Sequence, residues 1–324
     1  FMNSICYVVP YFGTLPKTSF RLWLKSCKAN PTVNWIIFTD DKTEYDYPDN
    51  VKVYYTTLDE IRERFQSFYD FPIVLDRGWK LCDYKIAYGE IFEKELKGYD
   101  FWGNCDIDLM WGNIRKFYTD EILEKYDKIG YQAHSTLYKN TPEVNKRYRT
   151  VIDGLDNYKM AFSESEGHAF DEVGIEEIYK KLNIPYYSKV DFAHLAKYET
   201  KFYLATLPKE EDYKNDRQVF TWENGKLLRH YLHNGKIIEE EYMYIHFWCR
   251  PMSYKVKNFS DNAKYLIYSD VVTDKPFKLN ENLIKRKGVS HPVAFYAKSI
   301  WQNRKKLTLK RIIFNIKGSL NRGN

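Results

Sequence analysis

Two carboxylates one residue apart, Asp106 and Asp108, end an apolar and aromatic stretch. It begins at Tyr99-Asp100-Phe101-Trp102-Gly103-Asn104-Cys105 and closes at Leu109-Met110-Trp111-Gly112. The stretch reads as a buried strand. Side chains alternate along a strand, so one that continues through both acids points them to the same side. Acids held together in this way repel each other and lose hydration, and a divalent cation relieves both costs. The plain alternative is a pair of hydrated turn aspartates, because Asp-x-Asp is a common sequence. Read chemically, the pair asks for a hard ion, Mn2+ or Mg2+, with a nucleoside diphosphate completing the coordination. The ion would then offset the charge on the departing diphosphate.

Other residues offer partners for such a site, each with an ordinary reading beside it. His246 lies among Tyr244, Ile245, Phe247 and Trp248, where a lone histidine is more often a core residue with a satisfied hydrogen bond. Arg250 carries a fixed charge suited to phosphate. In Trp79-Lys80-Leu81-Cys82-Asp83-Tyr84-Lys85, Lys80 shares one side of a helix start with Asp83. Lys80 and Lys85 suit phosphate or sugar hydroxyls, and solvated surface charge is the default for both. Asp40 and Asp41 suit a ribose or a base edge, or simply a turn or cap. Asp171 and Glu172 follow the loose stretch Ser163 to His168. A carboxylate there accepts a proton from an acceptor hydroxyl, or else forms the acidic first turn of a helix. No G-x-G-x-x-G, Walker loop, H-E-x-x-H or G-x-S-x-G is present, which leaves dehydrogenase, kinase, zinc-protease and serine-hydrolase readings without support.

The elements that position these residues alternate. Ile5 to Val9 reads as a strand ending in Pro10-Tyr11-Phe12-Gly13. Phe20 to Cys27 reads as a helix, Trp35 to Phe38 as a strand broken by Thr39-Asp40-Asp41, and Val51 to Tyr55 as a third strand. Helical spacing covers Leu58 to Phe68 and Leu81 to Leu96. This pattern predicts an α/β fold with a mostly parallel sheet flanked by helices, in which ligands bind beyond the carboxyl ends of the strands. Later, Lys128 to Ala133 is an expected strand, Val144 to Ile152 an expected helix, and Phe170 to Leu182 a helical run. Asn224-Gly225 and Asn234-Gly235 mark the turns of a hairpin or meander over Val219 to Glu241, and Tyr242 to Trp248 is a further strand.

Charge is unevenly placed. From Asn282 onward there are eleven Lys/Arg and no Asp/Glu, leaving 39 basic residues against all 44 acidic ones in the rest. A helix expected over 298–320 carries Leu309, Ile312, Ile313, Ile316 and Leu320 on one face, with Arg304, Lys305, Lys306, Lys310, Arg311 and Lys317 around it. Such a helix lies on an anionic membrane or docks on its own core. Nucleic acid is disfavoured by the acidic body. The 29 Tyr, 20 Phe and 8 Trp suit either a packed enzyme core or a carbohydrate-handling surface. Five dispersed cysteines without a C-x-x-C pair point to reduced thiols and a cytoplasmic location. The start reads as a strand rather than a signal peptide, and no apolar run reaches the ~20 residues of a membrane span.

The blocks Val9 to Gly13, Phe38 to Asp41, Lys80 to Lys85, Tyr99 to Gly112, Phe170 to Glu172 and His246 to Met252 together resemble a bacterial family of polysaccharide-biosynthesis glycosyltransferases with the GT-A (Rossmann-like) fold, formerly a domain of unknown function. The resemblance spans residues 4 to 255. It implies a GT-A domain over 1–250 and a basic helical extension over 251–324. It implies that Asp106, Asp108 and His246 bind Mn2+ or Mg2+, with Asp108 the more direct ligand. Pro10, Tyr11, Asp40 and Asp41 would line the nucleotide pocket. Lys80, Asp83, Lys85 and Arg250 would meet the diphosphate or donor sugar, and Asp171 or Glu172 would be the general base. The implied donor is a UDP-sugar, and the implied acceptor a growing capsular or surface glycan on a lipid carrier. The basic tail would then sit on the inner face of the plasma membrane. Galactose, as pyranose or furanose, is the expected sugar for a surface glycan, and inversion the expected outcome because a base is available, with retention the alternative. One departure is Arg250-Pro251, where GT-A enzymes often carry Lys-Pro after the histidine. Two rivals stand beside this reading: a metal-dependent hydrolase of nucleotide sugars or phosphodiesters, and a non-catalytic glycan-binding protein.

Overall fold

The computed structural model describes residues 2–196 and 202–288, together with positions 297, 300 and 301. Its first sheet is built from strands β1 (Ile5–Tyr11), β2 (Val33–Thr39), β3 (Val51–Tyr55) and β4 (Phe101–Cys105). A short strand β5 (Leu109–Trp111) follows, then β6 (Lys128–Ile129) and β7 (Ser135–Lys139). The sheet order is β3-β2-β1-β4-β7-β6. The first four strands are parallel, with Pro10 opposite Phe38 and Val8 opposite Asn104, whereas β7 runs antiparallel to β4 and to β6. The sheet is thus mixed, with a parallel half that carries the expected strand ends. Pro10 to Gly13, Thr39 to Asp41 and Asp106 all fall on its carboxyl edge.

Alternation along β1 divides the core. Cys6 and Val8 face one side with Ile36 and Phe38, and pack against helix α2 (Leu58–Gln66) and the segments 81–96, 144–162 and 170–179. Ile5, Tyr7 and Val9 face the other side and meet helix α1 (Lys17–Lys28) through Phe20, Trp23, Leu24 and Cys27. Those four recur at the helical interval that forms one apolar stripe. Helix α2 starts at a capping box, in which Glu60 N–H donates to Thr57 Oγ1 and Thr57 N–H donates to the Glu60 carboxylate.

Segment 81–96 is not the single helix that its periodicity predicts. It breaks into short turns, Leu81–Tyr84, Lys85–Ala87 and Tyr88–Ile91. The segment is enclosed on several sides rather than one. A side chain at Gly89 would strike the Trp102 ring, and the Gly89 carbonyl accepts from Asn145 Nδ2 at 3.2 Å. The helical run expected from Phe170 likewise opens as a π-turn, Phe170–Gly174, before the regular helix Ile175–Lys181. It is entered through Ala169 in the left-handed region at φ 49°.

The second half adds two sheets. Strands β8 (Ala193–His194), β9 (Gln218–Glu223), β10 (Lys226–His233), β11 (Lys236–Tyr242) and β12 (Tyr244–His246) are followed by β13 (Ser253–Lys255), β14 (Lys264–Tyr268) and β15 (Val271–Thr273). β5, β12 and β8 form a three-stranded sheet, and the rest assemble in the order β11-β10-β9-β14-β15-β13. The β9–β10 and β10–β11 turns use Asn224-Gly225 and Asn234-Gly235, all four at positive φ, as two-residue hairpins require. β13, β14 and β15 share a sheet with β9 to β11, so strands on both sides of residue 250 are hydrogen-bonded into one sheet. A further core of Leu22, Met110, Phe220, Trp222, Ile245, Phe247 and Tyr265 joins these sheets to α1. The helix expected over 298–320 lies, apart from 300 and 301, outside the described residues. No helix among the described residues is long and apolar enough to cross a membrane.

Candidate active site

β4 stops at Cys105, so Asp106 and Asp108 do not share a continuing strand. They sit in the three-residue bend between β4 and β5. The backbone of the bend is tied on both sides: Asp106 N–H donates to His134 O at 3.0 Å, and Trp23 Nε1 donates to Asp106 O at 3.2 Å. β5 pairs antiparallel with β12, which sets His246 opposite Leu109 and carries its ring to the acids. His246 Nε2 lies 3.1 Å from Asp108 Oδ1 and 3.7 Å from Asp106 Oδ2. One ligand atom from each of the three residues lies within 4.8 Å of the others. The histidine is buried, whereas the acids keep 31% and 32% of their side-chain surface exposed, so solvent reaches the cluster through the two acids.

Asp108 is held at three points. Its carbonyl accepts from Phe247 N–H at 2.9 Å and its Oδ2 accepts from Cys249 N–H at 2.8 Å, while Oδ1 faces His246. The Cys249 amide is aimed by a turn in which Trp248 and Cys249 both take positive φ, 46° and 52°. Strain of this kind collects at functional positions. Burial acts to raise the Asp108 pKa, but His246 and the Cys249 donors outweigh it and hold the carboxyl well below the usual range. Tyr11 stands nearby. Burial first, and then Cys249, Asp108, Asp41 and Asp40, raise its phenol.

Lys85 is turned inward. Its Nζ donates to Asp106 Oδ1 at 2.7 Å and to Ala133 O at 3.1 Å, and it lies 3.6 Å from Asp171 Oδ2. Burial alone would lower its pKa, but the two carboxylates raise it well above normal. Asp171, on the π-turn, is only 8% exposed. Burial drives its carboxyl up to about 7, with Lys85 pulling the other way. Of the two expected bases, the structure therefore joins Asp171 to the acid cluster and leaves Glu172 exposed.

Several expected contact residues are engaged elsewhere. Lys80 and Asp83 are fully buried and paired at 2.8 Å. Lys80 also donates to Glu166 O, and Asp83 accepts from His168 N–H and Phe170 N–H. They anchor the loop that leads into Asp171, and in these contacts neither side chain faces the open edge of the site. Asp40 accepts from Gly13 N–H and Asp41 from Leu15 N–H, each at 2.7 Å, so both brace the loop after β1. Pro10 and Tyr11 line the open edge beside them. Arg250 is 4% exposed and donates to Ala196 O at 2.8 Å, which turns it toward β8 rather than outward.

Two residues at the site carried no readable signal in the sequence. His194 on β8 pairs its Nδ1 with Nδ1 of His246 at 2.9 Å, and His134 stacks on the His246 ring at 4.3 Å. Burial, reinforced by His246, lowers the pKa of His194 to about 4. Burial and the neighbouring histidines keep His134 neutral as well. An isolated histidine far along the chain shows nothing of this, because β8 reaches the site only by pairing with β12.

The chain belongs to a family of unknown function, DUF6625, whose model matches residues 7–276. No curated protein matches it. Among solved structures it is similar to apo mouse xyloside xylosyltransferase 1, with a TM-score of 0.37 and 10% identity, over 60% of this chain and 88% of that one.

Proposed function

We propose that this protein is a cation-dependent glycosyltransferase of the GT-A kind that moves a sugar from a nucleotide-sugar donor to a hydroxyl of a glycan acceptor. The observation that carries the reading is the convergence of Asp106, Asp108 and His246 beyond the carboxyl edge of parallel strands. Two carboxylates and one imidazole nitrogen form a donor set suited to Mn2+ or Mg2+. Such an ion, when bound, neutralises charge on the diphosphate as the sugar–oxygen bond breaks.

The chain's own residues prepare the rest. Cys249 N–H fixes one oxygen of Asp108 and Lys85 holds one oxygen of Asp106, so both acids are held in place before an ion arrives. Tyr11 and the loop braced by Asp40 and Asp41 supply the wall for the nucleotide. Asp171, with its pKa lifted to about 7, is matched to taking a proton near neutrality. In the inverting form, the acceptor oxygen bonds to the anomeric carbon, the nucleoside diphosphate leaves with the electron pair, and Asp171 takes the hydroxyl proton. A UDP-sugar donor, with galactose as the sugar, and a lipid-borne surface glycan acceptor complete the proposal. The net charge of the tail supports an anionic membrane surface as the meeting place.

The test is calorimetric titration and thermal shift with Mn2+ and UDP-, GDP-, CMP- and dTDP-sugars, each repeated with EDTA. Cation-dependent stabilisation by a nucleotide is expected. Absence of any nucleotide effect would overturn the proposal, and full-rate donor cleavage without an acceptor would make the protein a hydrolase.

A further inference from the structure

Behind the three candidate ligands lies a stack of histidines, and its hydrogen bonds define which nitrogens hold protons. His134 uses both ring edges: Nε2 meets Gln132 Oε1 at 2.8 Å and Nδ1 meets the Tyr244 hydroxyl at 2.7 Å. An amide oxygen only accepts, so His134 carries its hydrogen on Nε2 and accepts from Tyr244 at Nδ1. No lone pair remains for a cation. His194 and His246 face each other Nδ1 to Nδ1 at 2.9 Å, a hydrogen-bond distance. The three rings together are therefore not a second metal cage.

That leaves the His194–His246 bond to be explained. A bond between two imidazole nitrogens needs a hydrogen on one and a lone pair on the other. His246 Nε2 points at Asp106 and Asp108. Facing Asp108 Oδ1 at 3.1 Å, Nε2 carries a hydrogen, because a carboxylate only accepts. A cation takes the place of that hydrogen, and a neutral imidazole that gives its Nε2 lone pair to a cation carries its hydrogen on Nδ1. His194 Nδ1 must then accept that hydrogen, which places its own on Nε2. The ring of His194 is fixed in position for this. It stacks on His134 at 5.1 Å and 13°, and Trp248 lies 4.7 Å away. The backbone sets the pairing too, because β8 runs parallel to β12 with His194 opposite His246.

We propose that His194 is a positioning residue that fixes the ring plane and hydrogen placement of His246, so that His246 Nε2 presents a lone pair toward Asp106 and Asp108. This rests on the metal-binding reading of those three residues. Partners that accept from the far nitrogen of a ligating histidine change metal affinity when removed, by about 10- to 100-fold.

The experiment is calorimetric titration of Mn2+ into the full chain, with electron paramagnetic resonance counting free Mn2+ and a melting curve for each variant. His194→Phe keeps a ring between His134 and Trp248 and deletes the acceptor. His194→Asn places an amide oxygen about where Nδ1 stood. The Phe variant should bind Mn2+ about 10- to 100-fold more weakly, and the Asn variant should recover most of that loss. Wild-type affinity in the Phe variant would overturn the positioning role while leaving the metal site standing. Equal losses in both folded variants would assign the effect to packing and overturn it as well. No Mn2+ uptake by the wild type would bring down the metal site itself, and this inference with it. One measurement needs no variant: with diamagnetic Mg2+ bound, the 15N shifts of His194 should show a protonated Nε2 and a bare Nδ1. The opposite tautomer would overturn the proposal.

Discussion

Replacing Lys85 by Met removes the cation that sits between a candidate ligand and the candidate base. Its Nζ lies 2.7 Å from Asp106 and 3.6 Å from Asp171, and its side chain is 11% exposed. At an effective dielectric near 20, those separations correspond to gross attractions of about 6 and about 5 kcal/mol. Desolvation of the three charges offsets much of this. Breaking a buried pair from one side still costs about 3–5 kcal/mol, because the remaining charges are left uncompensated. For a chain of this size, that is a fall of about 5–10 °C in melting temperature. The loss should depend on pH. Burial holds the folded Asp171 pKa at about 7, above its unfolded value, so its protonated form favours the fold. That contribution is complete below about pH 4 and is lost as the pH rises through about 7. Below pH 7, Asp171 is protonated and needs no counter-cation, and the penalty of the Met variant should shrink toward the share owed to Asp106. Mn2+ should also raise the melting temperature of the variant more than that of the wild type, because it takes over the neutralisation of Asp106. Urea unfolding and calorimetry from pH 5 to 8 measure both effects. A variant within about 1 °C of wild type at pH 8, or a penalty constant across the range, would refute the compensation argument.

Asp108→Asn should weaken Mn2+ binding by at least about 100-fold and abolish transfer while the chain stays folded, and titration beside a melting curve separates the two effects. If Asp171 is the base, the rate should rise with pH through a midpoint of about 7, since only the ionised carboxylate accepts a proton, and Asp171→Asn should remove that limb along with most of the activity. Lys80→Met should cost about 3–5 kcal/mol in urea unfolding, because it leaves Asp83 buried without its cation. Weakened donor binding at unchanged stability would instead return Lys80 to a phosphate-contact role. Cys249→Gly keeps the N–H that Asp108 accepts at 2.8 Å, removes only the long 3.6 Å Sγ contact, and suits the left-handed backbone at φ 52°, so stability should hold or rise by up to about 1 kcal/mol and Mn2+ affinity should stay within about threefold, as urea unfolding and titration measure.

The sequence by itself determined what is local. Apolar runs and their turn residues defined β1 to β4, and Asn-Gly pairs marked the turns of both hairpins, because strand periodicity and positive-φ turns depend on neighbouring residues alone. The same local reading singled out Asp106 and Asp108, although the geometry that joins them is a bend and not a shared strand face. Tertiary structure decided which way charged side chains turn and which distant strands lie side by side. Lys80, Asp83 and Lys85 have the composition of a solvated helix start, and only packing of segment 81–96 against the loops 131–134 and 166–171 folds them inward. His246 became more than a core histidine when β12 paired with β5. His194 came to its ring when β8 paired with β12, 52 residues away in sequence. Hydrogen bonds between strands impose that juxtaposition, and no spacing within either strand encodes it.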